Sequence, residues 1–347
     1  MGTFLGHLVP GLALALLGFW HAINTIKANY QNGTTKFRSK FWYPFNSPLP
    51  TLQHLDLILV LSFSIFCIVI QFLDFPSLHF SFKLHNIEHA TMFLNLTVFA
   101  GFTLLAELSS LPEILHGILG ILATSIFGQE LFLLHYHSTD HVGLEGHYHW
   151  LLQIVVFISL MSALVVTCFP SCFPAALVLS ISVIFQGCWF MNMGFNLWFP
   201  HFVPNGCVMQ SSEGHENLVH GAVLCHTNEA DLRARAMANL QFSWVLVAIL
   251  TFVAGISLVF ARNRADRTLL SKYEQLQSRG RDIPDNSGQV ISGVWCDVLR
   301  DREEALMILN GKLGWFFYAN VRMRSRTRSS GWITLGERDP NHANAMG

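Results

Sequence analysis

The feature that most constrains this chain is a set of apolar runs, each about 20 or more residues long and almost free of charge. A helix of that length crosses the ~30 Å hydrocarbon core of a bilayer. Runs are read at about 3–26, 52–73, 84–107, 111–134, 147–169, 173–198 and 238–261, and the last three contain no Asp, Glu, Lys or Arg. The expected fold is therefore all-α: a multi-pass transmembrane bundle of about seven spans, with the lipid bilayer as its principal partner. The 12% of charged residues is about half the share of an ordinary soluble domain. A formal net charge of -1 leaves nothing that points to nucleic acid.

Two domains are expected. Residues 1–261 form the bundle, and residues 262–347, polar and weakly periodic, form a poorly ordered tail. The first run lacks a basic leader and ends in Trp20, His21 and Asn24, so it reads as a mature helix and not as a cleaved signal. Pro112 fits the start of the fourth helix, and Cys168–Pro174 reads as the turn between the fifth and sixth.

Basic residues set the expected orientation. Lys27, Lys36, Arg38 and Lys40 lie in the first loop, and Arg262, Arg264, Arg267 and Lys272 open the tail. With seven spans both segments share a side. The first loop and the C-terminus are thus expected to be cytosolic and the N-terminus non-cytosolic, in the endomembrane system or the plasma membrane. This leaves the sequon at Asn32 cytosolic and unmodified. Thirteen of 17 histidines then fall at or near the non-cytosolic face: His7, His79, His85, His89, His135, His137, His141, His147, His149, His201, His215, His220 and His226. Of the seven cysteines, Cys207 and Cys225 alone share one long non-cytosolic loop, where a disulfide is expected.

The densest chemistry is the histidine-rich loop from His135 to His149, with His137, His141, His147, Asp140 and Glu145. Imidazole and carboxylate together suit zinc, iron or another transition metal. The third helix opens with His85, Glu88 and His89, which continue as a stripe through Met92 and Asn95. Ionisable groups at membrane depth face protein or water. The candidate metal set is His85, Glu88, His89, His135, His137, His141, His147 and His149; the competing reading is that the third-helix stripe is hydrogen-bonded glue between helices and that the loop histidines bond backbone and water. A haem held by His89 with His149 or His135 is a further possibility. Gln129, Glu130, Gln153, Gln186, Asn192 and Asn196 suggest a cavity opening to the same face and lined by helices three to six. A second polar set, His21, His54, Asp56, Glu107, Glu113 and His116, lies at the opposite ends and reads mostly as anchoring.

Several stretches together resemble the transmembrane protein 45 family, seven-helix membrane proteins of plants and animals without a settled activity. They are Gly6–Gly11 with Gly18-Phe-Trp-His21, Glu88-His89, the His135–His149 segment running into Trp150, and Phe185–Trp189 with Gly194-Phe195. The resemblance covers roughly residues 1–275 and implies the fold and the membrane, not a reaction. Three readings of function stand: a membrane protein whose His/Glu cluster is structural or metal-binding; a membrane-embedded, metal-dependent enzyme acting on a lipid or other apolar small molecule; and a transporter or receptor. Neither a cofactor nor an oligomeric state follows from the residues.

Overall fold

A computed structural model describes residues 4–32, 36–45, 53–74, 79–80, 83–109, 111, 114–136, 143–209 and 223–281. The chain divides into two units, Met1–Leu269 and Leu270–Gly347. Among the described residues, seven helices are long and apolar enough to cross a membrane, and the span of the last, Asn228–Ala265, lies within the first unit like the others. They are α1 (Phe4–Asn32), α2 (Leu55–Phe72), α3 (Leu84–Leu108), α4 (His116–Tyr136), α5 (Gly143–Cys168), α6 (Phe173–Trp198) and α7 (Asn228–Arg281). The described residues of the second unit, 270–281, are helical. The described residues also form two short antiparallel pairs, β1 (Leu73–Asp74) with β2 (His79–Phe80) and β3 (Cys207–Met209) with β4 (Val223–Cys225). The chain is an integral multi-pass membrane protein, and its exterior accords with that. Leu16, Phe66, Ile121, Phe157, Val247 and Leu258 are exposed along the helices, where only lipid is a favourable neighbour.

Three helices begin elsewhere than the hydropathy pattern suggests. Helix α5 starts four residues before 147, at Gly143, whose φ of +68° is the left-handed conformation that glycine tolerates best. Residues 143–146, Glu145 among them, therefore belong to the helix rather than to the loop. Helix α7 starts ten residues before 238. Thr227 Oγ1 accepts the Ala230 N–H at 3.1 Å as an N-cap, and the pairs Arg233–Glu229 (3.0 Å) and Arg235–Asp231 (2.7 Å) line the first turns. The charge that hid this helix thus contributes to its start. Helix α4 begins at His116, after a turn in which Leu115 N–H bonds the Leu111 carbonyl.

Packing runs in a row: α2 on α3, α3 on α4, α4 on α5, α5 on α6, and α6 on α1. The α1–α6 contact is the closest. A methyl group added at Gly187 would fall on the Ala15 backbone nitrogen and the Gly11 carbonyl oxygen, and one at Gly18 would meet the Ile184 backbone. Small residues permit this approach, and dispersion between the two backbones rewards it. Helix α7 joins the same core through Ala230, Ala234, Ala238, Ile249 and Val253, against Tyr148, Leu152, Trp189 and Met193.

Candidate functional site

The end of the bundle where α1 begins carries a continuous set of buried and half-buried polar side chains. Gln241 of α7 is its centre. Its Oε1 accepts from the Tyr148 hydroxyl at 3.0 Å and from Asn192 Nδ2 at 3.1 Å, and its Nε2 donates to Asn196 Oδ1 at 3.2 Å. Asn196 Nδ2 returns to Asn192 Oδ1 at 3.1 Å and to the Asn192 carbonyl at 2.8 Å, closing a ring of amides between α6 and α7 to which the Tyr148 hydroxyl of α5 donates. The i, i+4 spacing of Asn192 and Asn196 puts both on one face of α6, as a helical repeat requires. Beside the ring, Trp189 Nε1 donates to the Tyr148 carbonyl at 3.0 Å. Deeper along α6, the fully buried Gln186 donates to Ser159 Oγ at 2.7 Å, and Ser159 lies 2.8 Å from Ser182 Oγ.

Next to the ring sit His7, Glu145 and His149, all nearly excluded from solvent. His7 stacks on Trp198 with ring centroids 4.2 Å apart and meets His149 edge-on at 6.3 Å. Gly194 of α6 makes room for His7, since a methyl there would lie 3.2 Å from the His7 Cβ. His149 Nδ1 is 3.0 Å from the Glu145 carbonyl oxygen. A carbonyl only accepts, so Nδ1 must carry the proton, and Nε2 is the ring's acceptor when the ring is neutral. Helices α1 and α5 thus bring two buried imidazoles, His7 and His149, edge to face beside Trp198 at the end of α6.

The metal candidates named from sequence are distributed over several faces. His147 points to α7, with Nε2 at 2.9 Å from Asn239 Oδ1, while His149, two residues on, faces α1. His135 Nδ1 lies 3.2 Å from Gln153 Oε1, and Gln153 Nε2 donates to the Leu134 carbonyl at 3.2 Å, tying α4 to α5. Glu88 and His89 are half-buried in the first turns of α3 and both are engaged. Lower on that stripe, Asn95 and Ser125 lie 3.3 Å apart, and Gln129 donates to the Thr91 carbonyl at 3.3 Å, joining α3 to α4. His137, His141 and the side chain of His85 lie outside the described residues. Among the described residues, no three His, Cys, Asp or Glu side chains converge to hold a metal. Cys207 and Cys225 are joined, S–S 2.01 Å, as opposed residues of β3 and β4.

Sequence reasoning passed over Gln241, Asn239 and the pairing of His7 with Trp198. The available signal was that Asn239 and Gln241 are side-chain amides at the start of an otherwise apolar span. Residues 116–258, from the first residue of α4 into the membrane-spanning part of α7, match the model of a family of unknown function, DUF716, so the part of the chain that supplies most of this polar region is similar to that family.

Proposed function

We propose that this protein is a seven-helix membrane protein of the transmembrane protein 45 kind, and that its buried polar region is a structural junction fixing α7 and α1 against α5 and α6. The observation that carries this reading is the closed amide ring. Tyr148, Asn192, Asn196 and Gln241 satisfy one another, which is what interhelical glue requires. The proposed orientation puts this junction in the non-cytosolic half, with the first loop and the tail, 262–347, on the cytosolic side. The test is purification of the full chain with metal analysis, together with thermal unfolding of Gln241→Leu. The reading expects substoichiometric metal and a clear loss of stability. A stoichiometric metal that disappears in a folded His149→Ala variant would replace it.

A second reading, a metal-dependent enzyme acting on a lipid or other apolar molecule, draws on one observation. His7 and His149 meet edge to face out of solvent, with the buried Glu145 one helical turn before His149, and imidazoles with a carboxylate are the side chains that supply metal ligands or an acid–base pair. In that case His7→Gln and His149→Gln should abolish turnover while the amide ring keeps the fold.

A further inference from the structure

Acidic side chains within membrane spans are costly unless something meets them. Among the described residues, all but one are met. Asp56 lies 3.7 Å from His21, and Glu107 accepts from Trp42 Nε1 at 2.7 Å. Glu229 and Asp231 pair with Arg233 and Arg235, and Glu88 and Glu145 are both engaged. Glu130 of α4 is the exception: no donor and no charged group acts on its carboxyl.

The faces of α4 show where that side chain sits. Ile118, Ile121, Phe132 and Tyr136 are exposed and mark the lipid side. Leu119 and Ala123 are buried and mark the inner side, and Glu130 follows them at i+11 and i+7, on the same face. Glu130 is half-buried there, so open space remains beside the residue. Contacts with α5 fix its depth. A methyl group added at Gly128 would lie 3.7 Å from Leu160 Cδ1, and His135 Nδ1 is 3.2 Å from Gln153 Oε1. The two helices therefore run in opposite directions, and Glu130, just past Gly128, comes level with Ser159. Ser159 is the residue to which Gln186 donates, and the Oε1 of the fully buried Gln186 has no donor. One depth of the bundle thus holds a carboxyl without a partner and an amide oxygen without a donor.

We infer that Glu130 is a proton-binding site within the membrane, taking up and releasing a proton on the inner face of α4. Its carboxylate form has no cation or donor in a medium that does not solvate charge, and a bound proton removes the charge. A proton needs no cavity of its own. The acid hydroxyl is also a donor, the kind of group this depth lacks. The helices packed on α4 are α3 and α5. From α3 the titratable side chains near this level are Glu88 and His89, both engaged, since Gln129 bonds the Thr91 carbonyl. From α5 this level presents Ser159, and Glu145 and His149 lie more than two turns nearer the end of the helix. Carboxyls of this kind mark proton relays in pumps and transporters. The role rests on residues outside the structural junction.

The experiment treats the full chain in lipid nanodiscs with dicyclohexylcarbodiimide, an apolar reagent that reaches protonated carboxyls from the hydrocarbon. The acid adds across one N=C bond: its oxygen bonds the central carbon and its proton passes to nitrogen. Migration of the acyl group to nitrogen then leaves a stable N-acylurea, with nothing expelled. Peptide mass spectrometry reads the adduct. The expected result is an adduct on Glu130 that falls by about tenfold or more between about pH 6 and about pH 10, with far less labelling by a water-soluble carbodiimide. Folded Glu130→Gln should lose the adduct from that peptide. Should this variant not fold, the site-resolved pH series on the unmodified chain decides. No adduct on Glu130 at any pH, an adduct indifferent to pH, equal labelling by the water-soluble reagent, or an adduct that persists in folded Glu130→Gln overturns the inference.

Discussion

The hydroxyl of Tyr148 and the carboxamide of Gln241 meet at 3.0 Å across the interface of α5 and α7. The same carboxamide oxygen takes a second hydrogen bond, from Asn192 on α6. One side chain therefore fixes the rotation of α7 against two neighbours. In lipid, where helices gain little from apolar contact alone, such bonds and close packing decide which faces meet.

The close approach of α1 and α6 predicts an unequal response among glycines. Gly187→Val should sharply reduce folded, monodisperse protein, because the added carbons fall on the Ala15 and Gly11 backbone and neither can yield without moving a helix. Overpacking of this kind typically costs about 1–3 kcal/mol and often more. Gly255→Val in α7, which has open space around it, should leave the elution profile unchanged. Fluorescence-detected size exclusion compares the two directly, and equal profiles would refute the α1–α6 contact.

Joining β3 to β4 should make the chain sensitive to reductant. The bridge spans a separation of 18 residues, a loop for which cross-linking is worth about 3 kcal/mol. Cys207→Ser and Cys225→Ser should each lower the unfolding temperature, and the double variant should add little to either. Mass spectrometry under non-reducing, denaturing conditions should find both thiols unalkylated. Complete alkylation of both would remove the disulfide from the account.

The proposed orientation is checked at Cys168, which is exposed at the turn between α5 and α6. That turn belongs to the side assigned to the cytosol. Digitonin opens the plasma membrane and leaves internal membranes sealed. A membrane-impermeant maleimide should label Cys168 once digitonin is added, and a glycan should be absent from Asn32. Labelling only after full solubilisation, or a glycan on Asn32, would invert the topology.

If His147 serves the α5–α7 contact, His147→Gln should be mild, because a glutamine can keep a bond to Asn239 Oδ1, now at 2.9 Å from the imidazole. Loss of that one bond in His147→Ala should cost about 0.6 kcal/mol and no more than about 1.7, the average and the maximum for such bonds within membranes. Thermal unfolding of the two variants separates this from a ligand role, in which both substitutions would strip a bound metal alike.

The spans were legible because long charge-free runs such as 173–198 have one stable solution in a bilayer. The start of α7 was not, because Glu229, Asp231, Arg233 and Arg235 read as loop until their i, i+4 pairing is seen. Asn192 and Asn196 were visible as a polar face, but their partner Gln241 lies 45 residues or more along the chain, and no local period encodes that. Gly11, Gly18 and Gly187 were likewise visible as glycines, while their meeting depends on α1 returning to α6 across the bundle. His147 and His149 were grouped by density, although their spacing in a helix sends them to different neighbours.

A double-mutant cycle between Tyr148 and Gln241 tests the structural junction most directly. Tyr148→Phe removes only the hydroxyl, and Gln241→Leu removes its acceptor while keeping bulk. Unfolding free energies of the unmodified chain, both single variants and the double variant give the coupling. The junction predicts that each single variant is destabilised and that the pair is coupled by about 0.5–2 kcal/mol. Additive effects within error, or single variants as stable as the unmodified chain, would contradict it.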